Sequence, residues 1–145
     1  MMREILFRGK TFPSTFAGVE CPGHWVEGYY CSKGGAHFIS VVLKYASGKP
    51  FFSDVVVQPE TVKQFTGFYD KNKKKIFEGD ILKSTYPDEP HEDAVACEEV
   101  FWKNGWYQAH FGDRERSDDL MQNCLSEYSE VVGNIWDNPE LLEAK

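Results

Sequence analysis

The sequence predicts a mainly β fold, β-rich α+β in class: a small SH3-like barrel or sandwich of short antiparallel strands with a few short helices. Three observations carry this expectation. Apolar residues alternate with period two, as Ile39, Val41, Leu43 and Tyr45 do, which places them on one face of a strand. Turn-forming residues punctuate these segments at short intervals, and no long helices alternate with strands, which argues against a parallel sheet. The 145 residues are 41% hydrophobic and 15% aromatic, enough to bury one core, so a single domain over 1–145 is expected.

Ile5 and Phe7 alternate with polar neighbours and open a first strand, and residues 25–30 form another, with Gly28 at a bulge. Segments 39–45 and 51–57 are rich in β-branched and aromatic residues, and the turn Ala46-Ser47-Gly48-Lys49 joins them into the longest hairpin. Pro59 suits the first position of a helical turn over 60–65, which Gly67 ends. A strand over 81–86 leads to the acidic loop 88–93. Residues 100–103 and 106–109 flank Asn104-Gly105, the preferred two-residue hairpin loop because both positions tolerate positive φ. Ser117 caps a helix with Asp118 and Asp119 in its first turn and Leu120, Met121, Cys124, Leu125 and Tyr128 along one side. A strand over 131–136 and a short turn opened by Asn138-Pro139-Glu140 complete the chain.

Charge and composition narrow the function classes. A net charge of −7 repels phosphate backbones, so binding to duplex nucleic acid is disfavoured. The basic run Lys71-Asn72-Lys73-Lys74-Lys75 reads as a solvated turn rather than a phosphate site. No apolar stretch has the length of a membrane helix, and the opening Met-Met-Arg-Glu-Ile lacks a secretory apolar segment, so a cytoplasmic protein without a membrane partner is expected. Cys21, Cys31, Cys97 and Cys124 are too few for a disulfide framework and are expected as reduced thiols.

Several constellations bear on chemistry. Cys21, His24, Cys31 and His37 supply zinc-compatible donors, but their spacing is irregular and residues 25–30 read as strand, so no metal is expected there. Glu78 and Asp80 form the best carboxylate pair, yet Glu78-Gly79-Asp80-Ile81 also reads as a bend entering a strand, in which the Asp carboxylate accepts backbone N–H bonds. Nucleophile motifs and glycine-rich phosphate loops are missing, so neither enzymatic activity nor a cofactor is expected. Trp102, Trp106 and Tyr107 flank one tight hairpin. Successive strand residues face opposite ways, so part of this aromatic surface is expected outside, available to a protein partner or to single-stranded bases.

The segment Glu60-Thr61-Val62-Lys63-Gln64-Phe65-Thr66-Gly67, followed by Tyr69-Asp70-Lys71-Asn72 and by Lys75-Ile76-Phe77-Glu78-Gly79-Asp80-Ile81, resembles the YopX family of phage and prophage proteins. The ending Glu130-Val131-Val132-Gly133-Asn134-Ile135-Trp136-Asp137-Asn138-Pro139-Glu140-Leu141-Leu142 is similar to that family's C-terminal signature, and Arg3-Glu4-Ile5 with Phe7-Arg8-Gly9 to its N-terminus. The resemblance implies a β-rich protein of a phage or prophage working inside a bacterial cell, and it implies no reaction. Gly79, Gly133, Asn134 and Pro139 are structural motif positions on this view. The sequence departs from the pattern at Lys73, where a glycine is common, and in the segment Cys21-Pro22-Gly23-His24. The expected function is a non-enzymatic protein-binding or self-associating module whose partner is a second copy or a host or phage protein; the alternative is single-stranded nucleic-acid binding through a small β-barrel.

Overall fold

The computed structural model describes residues 4–84, 96–103, 106–110, 117–119 and 128–142. Every strand pairing among them is antiparallel, and the mainly β class expected from the alternating pattern is what the chain adopts. It divides into two compact units, Met1–Phe65 and Thr66–Lys145.

The first unit contains β1 (Phe7–Lys10), β2 (Ser14–Phe16), β3 (Val19–Cys21), β4 (Trp25–Lys33), β5 (Ala36–Lys44), β6 (Pro50–Val56) and the start of β7 (Lys63–Tyr69). Its main sheet runs in the order β6-β5-β4-β1-β7, while among the described residues β2 and β3 pair only with each other. The predicted long hairpin is β5–β6, registered from Lys44↔Pro50 to Phe38↔Val56. The first half of β4 pairs with β1, ending at Phe7↔Gly28, and the second half with β5 from Tyr29↔Ser40, and neither ladder shows a register shift. Gly28 therefore marks a close approach and not a bulge: a Cβ there would strike the backbone carbonyl of Ser40. Among the described residues, Ile39, Val57 and Phe65 are the buried hydrophobic side chains of this unit.

The helical turn expected over 60–65 is only a 3-10 turn, Pro59–Thr61. Thr61 Oγ1 donates to the Gln58 carbonyl at 2.6 Å and accepts from the Lys10 amide at 2.8 Å, which ties the turn to β1. From Val62 onward the backbone is extended, and the Phe65 amide donates to the Leu6 carbonyl at 2.7 Å. Sheet hydrogen bonds thus outcompete a helix whose residues, Thr61 and Val62 among them, are β-branched.

In the second unit the remainder of β7 folds back onto β8 (Lys75–Phe77), with the Thr66 hydroxyl donating to the Ile76 carbonyl at 2.7 Å. A five-stranded sheet follows in the order β12-β11-β10-β9-β13, made of β9 (Asp80–Ser84), β10 (Ala96–Lys103), β11 (Trp106–His110), β12 (Ser117–Asp119) and β13 (Ser129–Asn134). Ile76, Leu82, Val100 and Tyr107 form its core, with Phe68 and Val131 packed against them. The β10–β11 hairpin has Lys103 opposite Trp106, the register that a two-residue Asn-Gly connection requires.

Three further expectations are corrected. The helix expected to start at Ser117 is replaced there by β12, which takes up the ladder bonds that β11 offers, from Gln108↔Asp119 to His110↔Ser117. Cys124 and the rest of that predicted helix up to residue 127 lie outside the described residues, as does the acidic loop 88–93. The strand expected over 131–136 begins and ends earlier, because the Asn134 side chain accepts from the Trp136 and Asp137 amides at 3.1 and 2.9 Å and turns the chain. Finally, the antiparallel sheets are open rather than closed into a barrel. One sheet ends on β6, after which Pro59 diverts the chain, and the other ends on the three-residue β12.

Candidate binding surfaces

Trp102 and Tyr107 are cross-strand partners in β10–β11, with ring centroids 4.7 Å apart in an edge-on arrangement. Their exposures differ sharply. Trp102 is 48% exposed whereas Tyr107 is buried in the core cluster, so Tyr107 is corrected from candidate surface residue to core residue. Opposite residues project from the same face of a sheet, and here that face covers the core with Trp102 left at its rim. The Trp106 side chain lies outside the described residues.

Larger apolar exposure occurs in the first unit. Phe16 and Val19, 79% and 63% exposed, face each other at the tip of β2–β3. The hairpin closes through Ala17 and Gly18, both at positive φ, a two-residue turn that the sequence reading missed although Gly18 signals it. On β4, β5 and β6, Tyr29, Val42, Phe52 and Val56 are exposed, and Val42 pairs directly with Phe52. The Tyr45 and Phe51 rings meet in a tilted arrangement, centroids 4.3 Å apart, at the end of this hairpin. The Arg8 guanidinium lies 4.7 Å from the centroid of the Trp25 ring. The two units also differ in charge. The first carries seven basic and five acidic residues, the second nine basic and eighteen acidic, so the acidity of the chain belongs to the second.

The Cys and His candidates are placed apart in role. Cys21 is exposed at the end of β3, and Cys31 is half-buried on β4 opposite Phe38. His24 Nδ1 lies 3.2 Å from the Thr11 hydroxyl, and His37 Nδ1 is hydrogen-bonded to the Tyr30 hydroxyl. Among the described residues no three His, Cys, Asp or Glu side chains are grouped so as to hold a metal ion.

The shared motif residues organise the second unit. Gly79 adopts φ 89°, its amide donates to the Val100 carbonyl at 2.8 Å, and its carbonyl accepts from the Ile135 amide at 3.0 Å. The Trp136 ring sits where a Cβ on Gly79 would lie, 2.6 Å from that position. The buried Asp80 carboxylate accepts from the Phe77 amide at 2.8 Å, which is the turn chemistry anticipated for this bend. Glu78 is half-buried beside it. Gly133 approaches the Asn138 side chain too closely for a Cβ, the Asn138 amide donates to the Asn134 carbonyl at 2.9 Å, and Pro139 begins the final 3-10 turn.

Asp70 is the residue whose role the sequence reading missed. Its buried carboxylate accepts from the Asn72 and Lys74 amides at 2.8 and 2.9 Å and, across 61 residues, from the Val131 amide at 2.9 Å. The Lys71 amide also donates to the Ser129 carbonyl at 2.9 Å, so the basic turn is fastened to β13. Lys73, which stands where the family pattern commonly has glycine, adopts φ 65°, the left-handed conformation that costs a non-glycine residue energy. Lys71, Lys73 and Lys74 are exposed, and Lys71 Nζ lies 3.9 Å from Glu130.

The family model described as YopX protein matches residues 30–143. Among solved structures, the crystal structure of protein EF1440 from Enterococcus faecalis is similar at 27% sequence identity, over 74% of this chain and 78% of that chain, with a TM-score of 0.45. No curated protein matches the chain. No described helix is long and apolar enough to cross a membrane.

Proposed function

The chain belongs to the YopX family, and from that premise we propose that it is a non-enzymatic protein-binding or self-associating module, encoded by a phage or prophage and working in the bacterial cytoplasm. The observation that supports this reading is the exposure of large apolar side chains on the strands of the first unit, led by Phe16, Phe52 and Tyr29. Burying such side chains in an interface gains hydrophobic free energy, and Val42 and Phe52 stand side by side in the β5–β6 register. With seven basic and five acidic residues, that unit adds no repulsion of its own toward acidic proteins. Light scattering on the purified chain and affinity capture from a bacterial host carrying the phage test the proposal together. A defined oligomer or a stoichiometric captured protein supports it; a strict monomer that captures nothing refutes it.

A second reading, single-stranded nucleic-acid binding, draws on the exposed Trp102 and the lysine turn 71–75. The excess of acidic residues in the same unit weighs against it. Titration of tryptophan fluorescence with oligonucleotides at low salt separates the two readings, because base stacking on Trp102 quenches its emission.

A further inference from the structure

Among the described strands β6 ends its sheet, and its hydrogen-bonding phase is fixed at both ends. The Val57 amide donates to the His37 carbonyl at 3.0 Å and the Tyr45 amide to the Lys49 carbonyl at 2.9 Å, both in the register that joins β5 to β6. In an antiparallel ladder such bonded pairs recur every second residue. Residues 51, 53 and 55 therefore direct their backbone groups to β5, while Phe52, Asp54 and Val56 direct theirs to the open edge. Pro50 falls in the outward set, where its missing N–H costs the ladder nothing. Natural edge strands are usually blunted by lysines, bulges or inward charges. β6 has none of these, its only charge is Asp54, which accepts a hydrogen bond from Ser40 on β5, and its side chains Phe52 and Val56 are exposed.

We infer that the open edge of β6 pairs with β6 of a second copy of this chain, antiparallel, about a two-fold axis at Ser53; this rests on the self-associating form of the function proposed above. The second copy is chosen because the strand is complementary to itself in this register. Phe52 then lies opposite Asp54 of the second strand, and Val56 opposite Pro50, so every outward N–H meets a carbonyl and the proline is required only to accept. Ser53 meets its own copy on the axis as a non-hydrogen-bonded pair, the closest approach in an antiparallel ladder, which a small side chain suits. Phe51 faces Val55, and the two Phe52 rings become diagonal neighbours across the axis, each also diagonal to a Val56. Alternative registers are poorer. Centring on Asp54 sets two carboxylates face to face, and centring on Phe52 leaves the Val56 amide beyond the paired strand.

The test combines mass and cross-linking on the full chain. Light scattering at high micromolar concentration is expected to give twice the single-chain mass of 16.7 kDa. The double substitution Phe52→Lys with Val56→Lys, at exposed positions, is expected to halve that mass while leaving the circular dichroism spectrum unchanged. Ser53→Cys is expected to form an intermolecular disulfide on mild oxidation, because its pair spacing of about 4.5 Å falls in the disulfide range of about 4.4–6.8 Å; Ser47→Cys, in the turn, is not. An oligomer that survives the double substitution and shows no Ser53→Cys cross-link overturns the β6 interface and leaves self-association standing. A wild-type monomer with no Ser53→Cys cross-link overturns the inference outright, and capture of a heterologous protein then decides the broader reading.

Discussion

Removing the Asp70 carboxylate is expected to destabilise the second unit more than any other change to the basic turn. The carboxylate accepts three backbone amides, from Asn72, Lys74 and Val131, and is itself buried. A hydrogen bond to a charged group contributes about 1.5–3 kcal/mol net. Asn72 and Lys74 are exposed, so water replaces part of what they lose, whereas Val131 is half-buried on β13. Asp70→Ala is therefore expected to cost about 3–5 kcal/mol. Asp70→Asn keeps one acceptor oxygen but turns an NH2 group toward at least one amide donor, for an expected cost of about 2 kcal/mol. At about 2–4 °C per kcal/mol for a chain near this size, Asp70→Asn lowers Tm by roughly 4–8 °C. Urea unfolding followed by tryptophan fluorescence measures both variants. Glu130→Gln, which removes only the exposed contact to Lys71, is the control and is expected to change stability by less than about 0.5 kcal/mol. If Asp70→Ala costs no more than Glu130→Gln, the turn is not held through this carboxylate.

Lys73→Gly is expected to stabilise the chain by about 0.5 kcal/mol, the relief of left-handed strain exceeding the entropy that glycine adds to the unfolded state; a lower urea midpoint contradicts this. Gly79→Ala combines positive φ with a collision against the Trp136 ring and is expected to cost about 3 kcal/mol or more, read from the same unfolding curve. Gly28→Ala is expected to be worse, because the obstacle is the rigid backbone carbonyl of Ser40; soluble expression with a native circular dichroism spectrum argues against that close approach. Treatment with a strong chelator is expected to leave Tm unchanged, since His24 and His37 already bond to Thr11 and Tyr30; a marked fall in Tm, with metal found by elemental analysis, reverses this.

What the sequence determined by itself was whatever depends on neighbours along the chain. Period-two alternation announced the β5–β6 hairpin, the spacing of residues 100–103 and 106–109 announced the pairing of β10 with β11, and the Glu78-Gly79-Asp80 bend announced its own turn chemistry through Asp80. The family motifs were legible for the same reason, since they are short runs of adjacent residues. The tertiary structure decided what depends on partners far away. Ser117 carries good capping chemistry, yet a free edge on β11 drew it into a strand. Tyr107 and Trp102 look alike in sequence, but only the packing of Ile76, Leu82 and Val100 determines which ring is buried. Asp70 reads as an ordinary turn acid until β13 brings the Val131 amide to it, and β6 is an edge because no strand among the described residues pairs on its far side. Local propensities amount to about 1 kcal/mol or less per residue, whereas burial and hydrogen bonding across the fold contribute several times that at a single site. Long-range partners therefore settle each position where the two conflict.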